Sequence, residues 1–127
     1  MIVNDPVTLA AVTAAFACYE QALMTNDLTM LDQLFWDSTH TLRYGVGENL
    51  YGFAAISEFR RNRPGGSPQR LLRNTVITTY GTDFGTANTE FLRAGASPVG
   101  RQSQTWVRLP EGWRIVAAHV SLMSGFS

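Results

Sequence analysis

An α+β fold, with three helices followed by a large antiparallel sheet, is what this sequence predicts. Apolar residues recur at three- and four-residue intervals through the first half of the chain, and from residue 71 onward four long alternating stretches are separated by short turn-forming clusters. With 127 residues there is room for one domain, 1–127, and one core. Helices that precede an antiparallel sheet pack on one of its faces, so the sheet should curl around them and leave a pocket between the layers.

The first helix is expected over 5–24. Asp5 suits the N-cap and Pro6 the first helical position, while Leu9, Val12, Ala15, Phe16, Tyr19 and Leu23 make its buried stripe. Thr25-Asn26-Asp27 breaks it, and Leu28 to Phe35 forms a second helix with Leu28, Leu31, Leu34 and Phe35 inward. A strand through Arg43 follows. Gly45, Gly47 and Asn49 then supply turn chemistry before a return strand at Leu50-Tyr51. The third helix, 53–63, carries Phe53, Ile56, Phe59 and Arg60 on one face and ends at Pro64-Gly65-Gly66-Ser67-Pro68. Four strands complete the chain: Leu71–Tyr80, Phe84–Arg93, Arg101–Leu109 and Trp113–Met123. Their turns are Gly81-Thr82-Asp83, Gly95-Ala96-Ser97-Pro98 and Pro110-Glu111-Gly112.

Ten basic and ten acidic residues cancel, so nothing in the charge balance attracts nucleic acid or an anionic membrane. A small molecule is the more natural partner. Only 16% of residues are charged and 45% are hydrophobic, a surface that favours self-association into a homo-oligomer. Cys18 is the only cysteine, which excludes an intrachain disulfide and points to the cytoplasm. No basic-then-apolar leader opens the chain, and no apolar run approaches the length of a membrane span.

Candidate site residues come from strand parity. Thr41 and Arg43 share one face of their strand, Leu42 and Tyr44 the other. On the last strand, Trp113, Ile115, Ala117, His119 and Ser121 share a face of small residues followed by two polar ones, which suits a cavity wall better than solvent. The neighbouring strand sets Gln102, Gln104 and Trp106 opposite Arg101, Ser103, Thr105 and Val107. Arg73 opens a face continued by Thr75, Ile77 and Thr79, and reads as a surface or interface residue more than as a site residue. A metal centre needs several converging ligands, and His40 and His119 are the only histidines, so no metal is expected. Neither a phosphate-binding glycine loop nor a nucleophile elbow is present, and no cofactor is expected. Neutral donors, an aromatic hydroxyl and arginines remain. Because a guanidinium binds a carboxylate through two parallel hydrogen bonds, that set suits a small carboxylate ligand.

Several segments are specific enough to resemble a known family: Arg43-Tyr44-Gly45-Val46-Gly47-Glu48-Asn49-Leu50-Tyr51-Gly52, Asn74-Thr75-Val76-Ile77-Thr78-Thr79-Tyr80-Gly81, and the ending Gly100 through Trp106 and Gly112 through Ser121. With the helical hairpin before them, they resemble the AtzH-like family, also called HpxZ-like, of the SnoaL-like branch of the nuclear-transport-factor-2-like superfamily. The resemblance covers nearly the whole chain. It implies a cone-shaped α+β barrel, a curved antiparallel sheet wrapped around a helical layer. It also implies a small homodimeric, metal-independent enzyme, a decarboxylating amidohydrolase that converts 1,3-dicarboxyurea to allophanate. HpxZ-type relatives are linked instead to purine and oxalurate breakdown, so the particular ureide stays open. The family's functional tyrosine and arginine correspond to Tyr19, within Phe16-Ala17-Cys18-Tyr19-Glu20, and Arg43, within Leu42-Arg43-Tyr44-Gly45. On this basis Tyr19 and Arg43 are the expected catalytic residues, with His119, Gln104, Ser121, Trp106 and Arg73 as substrate-binding candidates. A non-catalytic binding or accessory protein of a ureide amidase pathway is the competing reading.

Overall fold

The computed structural model describes residues 1–95 and 98–124. Two helices, α1 (Pro6–Met24) and α2 (Leu28–Leu34), lead into the hairpin β1 (Leu42–Tyr44) and β2 (Asn49–Tyr51). After helix α3 (Phe53–Arg61) come four long strands, β3 (Arg70–Tyr80), β4 (Phe84–Arg93), β5 (Gly100–Leu109) and β6 (Gly112–Leu122). The fold is α+β, as the sequence predicts. Of the expected turn between β4 and β5, Ala96 and Ser97 lie outside the described residues.

All strands belong to one six-stranded sheet in the order β2-β1-β6-β5-β4-β3. Four of its five strand pairings are antiparallel, but β1 runs parallel to β6, with Arg43 opposite Ala118 and Tyr44 opposite His119. The sheet is therefore mixed where an all-antiparallel one was expected. A chain that leaves the helical layer must come back alongside β6 in this way: Phe35 already bridges Ile115, and the Trp36 N–H donates to the Ile115 carbonyl at 3.0 Å. The buried Thr41 hydroxyl donates to the Trp36 carbonyl at 2.8 Å and fixes where β1 begins.

Helix α1 starts where Asp5 stops it from fraying. The Asp5 carboxylate accepts from the Thr8 N–H at 3.1 Å and from the Thr8 hydroxyl at 2.9 Å, satisfying a donor the helix itself leaves unpaired. Asp5→Ala is expected to cost about 1 kcal/mol, read as a lower urea midpoint with an unchanged slope. By length and composition α1 could cross a membrane. Here its Val12, Phe16, Tyr19 and Leu23 stripe packs on the sheet with Ala87, Trp106, Ile115 and Ala118, closed off by Leu31, Leu34 and Phe35 of the second helical segment and Ile56 of α3. Gly85 on β4 lets α1 come close, since a Cβ there would lie 3.1 Å from a Val12 methyl.

Two β-bulges decide which side chains face this core. On β3 the register shifts between Arg73 and Val76, where Asn74 takes a positive φ of 52°. On β6 Ile115 pairs with Trp106 and Ala117 with Thr105, so Val116 is an extra residue. Each bulge reverses strand parity. Ile115 faces in before the β6 bulge; Ala118 and Val120 face in after it, while His119 is exposed.

Candidate active site

Arg43 reaches the interior from β1, on the face that holds buried Thr41 and is bounded by Leu50 on β2 and Ala118 on β6. Its guanidinium side chain is 13% exposed and pairs with the Glu48 carboxylate at 3.1 Å. The β1–β2 turn makes that contact: the Gly45 N–H donates to the Glu48 carbonyl at 2.8 Å, and the Gly47 N–H donates to the Glu48 carboxylate at 3.2 Å. A Cβ at position 45 would meet the Glu48 carboxylate, so a larger residue there would have to push that side chain away from its present contact with Arg43.

Facing Arg43 across a small cavity is Tyr19 of α1, 3% exposed, its ring tilted against Phe35 with centroids 6.2 Å apart. Leu23, Leu50, Ile56 and Phe59 supply the apolar walls, and Arg60 and Arg63 complete the lining. Arg60 is 4% exposed. Its guanidinium lies 4.4 Å from the Phe35 ring centroid, and neither terminal nitrogen has a hydrogen-bond partner among the described residues. Arg63 Nε is buried and also unpartnered. The guanidinium carbons of Arg43 and Arg63 lie 5.9 and 5.7 Å from the Phe59 ring centroid, so that ring touches both cations. Burial holds Arg60 below the usual arginine range, with Tyr19 opposing the shift and Arg43 reinforcing it. Arg63 is lowered by burial and then by Arg43, for the same reason.

The cavity amounts to about 10 Å³, room for one water. A larger cleft of about 450 Å³ lies between α2 and the β5–β6 turn, lined by Asp32, Trp36, Phe53, Glu111 and Arg114 among others. Size alone does not make it the site, because its Asp32 is engaged by Ser57 at 2.8 Å and by Arg61 at 3.8 Å. Unpaired buried cations converge only on the smaller cavity among the described residues.

The structure brings Tyr19 and Arg43 together and disperses the other candidates. His119 and Ser121 are corrected: the extra residue at Val116 turns both to the outer face, where His119 packs edge-on against Tyr44 at 5.6 Å. Tyr44 in turn meets Tyr51, hydroxyl to hydroxyl at 3.2 Å. Arg73 is corrected by the β3 bulge. It is 47% exposed on the outer face and pairs with Glu90 at 3.0 Å; Asn74 and Arg73 together hold that carboxylate below its usual range. Gln104 and Trp106 do face inward, but the Trp106 indole N–H donates to the Gln104 amide oxygen at 3.1 Å, and neither lines the Tyr19 cavity. Gln102 accepts from Arg70, which also forms a two-pronged pair with Glu20 at 2.7 and 2.9 Å. Arg60 and Arg63 are the residues the sequence left unplaced. For Arg60 the signal was visible as an arginine set among Phe53, Ile56 and Phe59 on one face of α3; Arg63 lies just past the end of that helix. Among the described residues no three His, Cys, Asp or Glu side chains come together as a metal site would require.

A family model described as AtzH-like matches residues 1–125. A protein of unknown function from Pectobacterium atrosepticum is 61% identical, with a TM-score of 0.93 over 96% of this chain and 95% of that one. A cystatin-like fold protein from Burkholderia xenovorans is 48% identical, with a TM-score of 0.93 over 97% of each chain. A nuclear transport factor 2-like superfamily protein from Salmonella enterica is 25% identical, with a TM-score of 0.76 over 95% of this chain and 94% of that one. None of the curated proteins matches the chain.

Proposed function

Because the chain belongs to the AtzH-like family, we propose that it is a metal-independent decarboxylating amidohydrolase of small carboxylated ureides such as 1,3-dicarboxyurea, with allophanate as product. It would act as a cytoplasmic homodimer in the nitrogen catabolism of s-triazines, or of purines through oxalurate. The observation that carries this reading is the cavity that joins the Tyr19 ring to three arginines, one of them buried without a partner. Such a cavity binds anions, and the Tyr19 hydroxyl is the one uncharged proton donor among the side chains that line it.

The reaction balances with one proton. The dianion of 1,3-dicarboxyurea loses one carboxyl as carbon dioxide; the C–N electron pair goes to nitrogen, which takes a proton and leaves allophanate. Tyr19 serves as the general acid, its hydroxyl giving that proton and regaining one from water. Arg43 orients the reacting end through its planar donors and stabilises charge on the ureide oxygen. Entry needs the half-buried Leu50, Phe59 and Arg63 side chains to give way, since the cavity as folded is smaller than a ureide.

Arg43→Lys tests the reading, because lysine keeps the charge and loses the planar fork. Turnover of 1,3-dicarboxyurea, followed as carbon dioxide release, is expected to fall by about 10- to 100-fold in kcat/KM, the worth of one charge-assisted fork. A variant that works at the wild-type rate removes Arg43 from the site. Wild-type protein that binds the ureide without releasing carbon dioxide would instead be an accessory binding protein.

A further inference from the structure

Building on the ureide reading, we propose that Arg60 and Arg63 form a second anion anchor, which holds the carboxylate that the product keeps and makes the site selective for dianions. Arg43 has a carboxylate of its own, that of Glu48 at 3.1 Å. Arg60 has none: both terminal nitrogens are buried and unpartnered among the described residues. The Phe35 ring, 4.4 Å from that guanidinium carbon, offers it a cation–π contact and no hydrogen-bond acceptor. Arg63 adds a third buried, unpartnered nitrogen, its Nε, to the same cavity lining. Three cations line the cavity and only Arg43 has an ion pair; Asp32 acts on Arg60 and Glu48 on Arg63 from beyond ion-pair distance, which leaves both guanidinium groups without a carboxylate of their own among the described residues. Burying an unpaired charge is costly, and a fold keeps such a group where a ligand supplies the counter-charge.

The two ends of the substrate need different cations. A carboxylate that departs as carbon dioxide loses its charge on the way to the transition state, so gripping it with an uncompensated cation would stabilise the ground state and slow the reaction. Arg43, already offset by Glu48, suits that end. Arg60 and Arg63, without a carboxylate of their own, suit the end that stays charged throughout. Once the first carboxylate has gone, the product carries one negative charge where the substrate carried two, and leaves the more readily.

Glutarate is the probe, because three atoms separate its carboxylates as three separate those of 1,3-dicarboxyurea; glutaramate, its monoamide, is the matched monoanion. By isothermal titration calorimetry the wild type is expected to bind glutarate at least about tenfold more tightly than glutaramate. Arg60→Gln should weaken glutarate by more than it weakens glutaramate and so shrink that preference, and Arg60→Lys should restore part of it. Half-buried Arg63 gives a second test in Arg63→Gln, which should weaken glutarate selectively whether or not Arg60→Gln folds. The anchor is overturned if the wild type binds glutarate no better than glutaramate. It is equally overturned if folded Arg60 and Arg63 variants keep the preference or lose both ligands alike. Turnover is scored separately: an Arg60-dependent preference without carbon dioxide release keeps the anchor and rejects the amidohydrolase, and turnover with an Arg60-independent preference does the reverse.

Discussion

Trp106→Ala is expected to destabilise the protein by about 3–5 kcal/mol, a large part of the 5–15 kcal/mol that holds an ordinary domain folded. Trp106 is 0% exposed, the largest fully buried side chain among the described residues. It sits on β5 opposite Ile115, at the bulge where β6 changes parity. Removing it opens a cavity lined by core residues that cannot collapse far, because the sheet is stitched on both sides of β5. The change also strips the Gln104 amide oxygen of its indole donor in a side chain whose amide nitrogen is already unpartnered. A fall in Tm of roughly 10–20 °C follows for a chain of this size. Trp106→Phe separates the two contributions, since it keeps most of the volume and loses the N–H. If Trp106→Ala melts within a degree or two of the wild type, the residue is not in the core.

Local pattern was enough to read most of this fold. The α1 stripe, the cap at Asp5 and the extent of β4 follow from spacing and turn chemistry alone, and the alternation of Gln102, Gln104 and Trp106 against Arg101 and Ser103 matches the burial of β5. The inward face of Arg43 was legible for the same reason: β1 is short and carries no bulge, so counting by two from buried Thr41 holds. Counting by two failed on the longer strands. A bulge inserts one residue without changing composition, and it moved Arg73, His119 and Ser121 to the opposite face from the one parity assigns. Asn74, at positive φ, is a residue type that tolerates such a kink and so a readable hint on β3. Val116 offers none, because Val-Ala-Ala reads as uninterrupted strand. The parallel β1–β6 pairing was hidden for another reason: it joins segments more than 70 residues apart, and local periodicity carries nothing about long-range partners.

Tyr19→Phe is expected to lower kcat by about 10²- to 10⁴-fold, the usual worth of a positioned general acid, with little change in KM. The phenyl ring keeps what Tyr19 contributes to the core, its tilted contact with Phe35 on the buried stripe of α1, so the variant should fold as the wild type does. Only the hydroxyl is lost. In the proposed division of labour the substrate is held by guanidinium groups, which Tyr19→Phe leaves in place, while the departing nitrogen loses its proton donor. The expected signature is therefore a variant that binds glutarate like the wild type and releases carbon dioxide from 1,3-dicarboxyurea far more slowly. The opposite split, wild-type kcat with weakened glutarate binding, would make Tyr19 a binding residue and leave the proton to water. Equal loss of both would mean that the hydroxyl orders the three arginines, because a phenol placed among cations stabilises them as well as serving chemistry. Measuring kcat, KM and glutarate affinity on one preparation decides among these roles, since each predicts a different pair of changes.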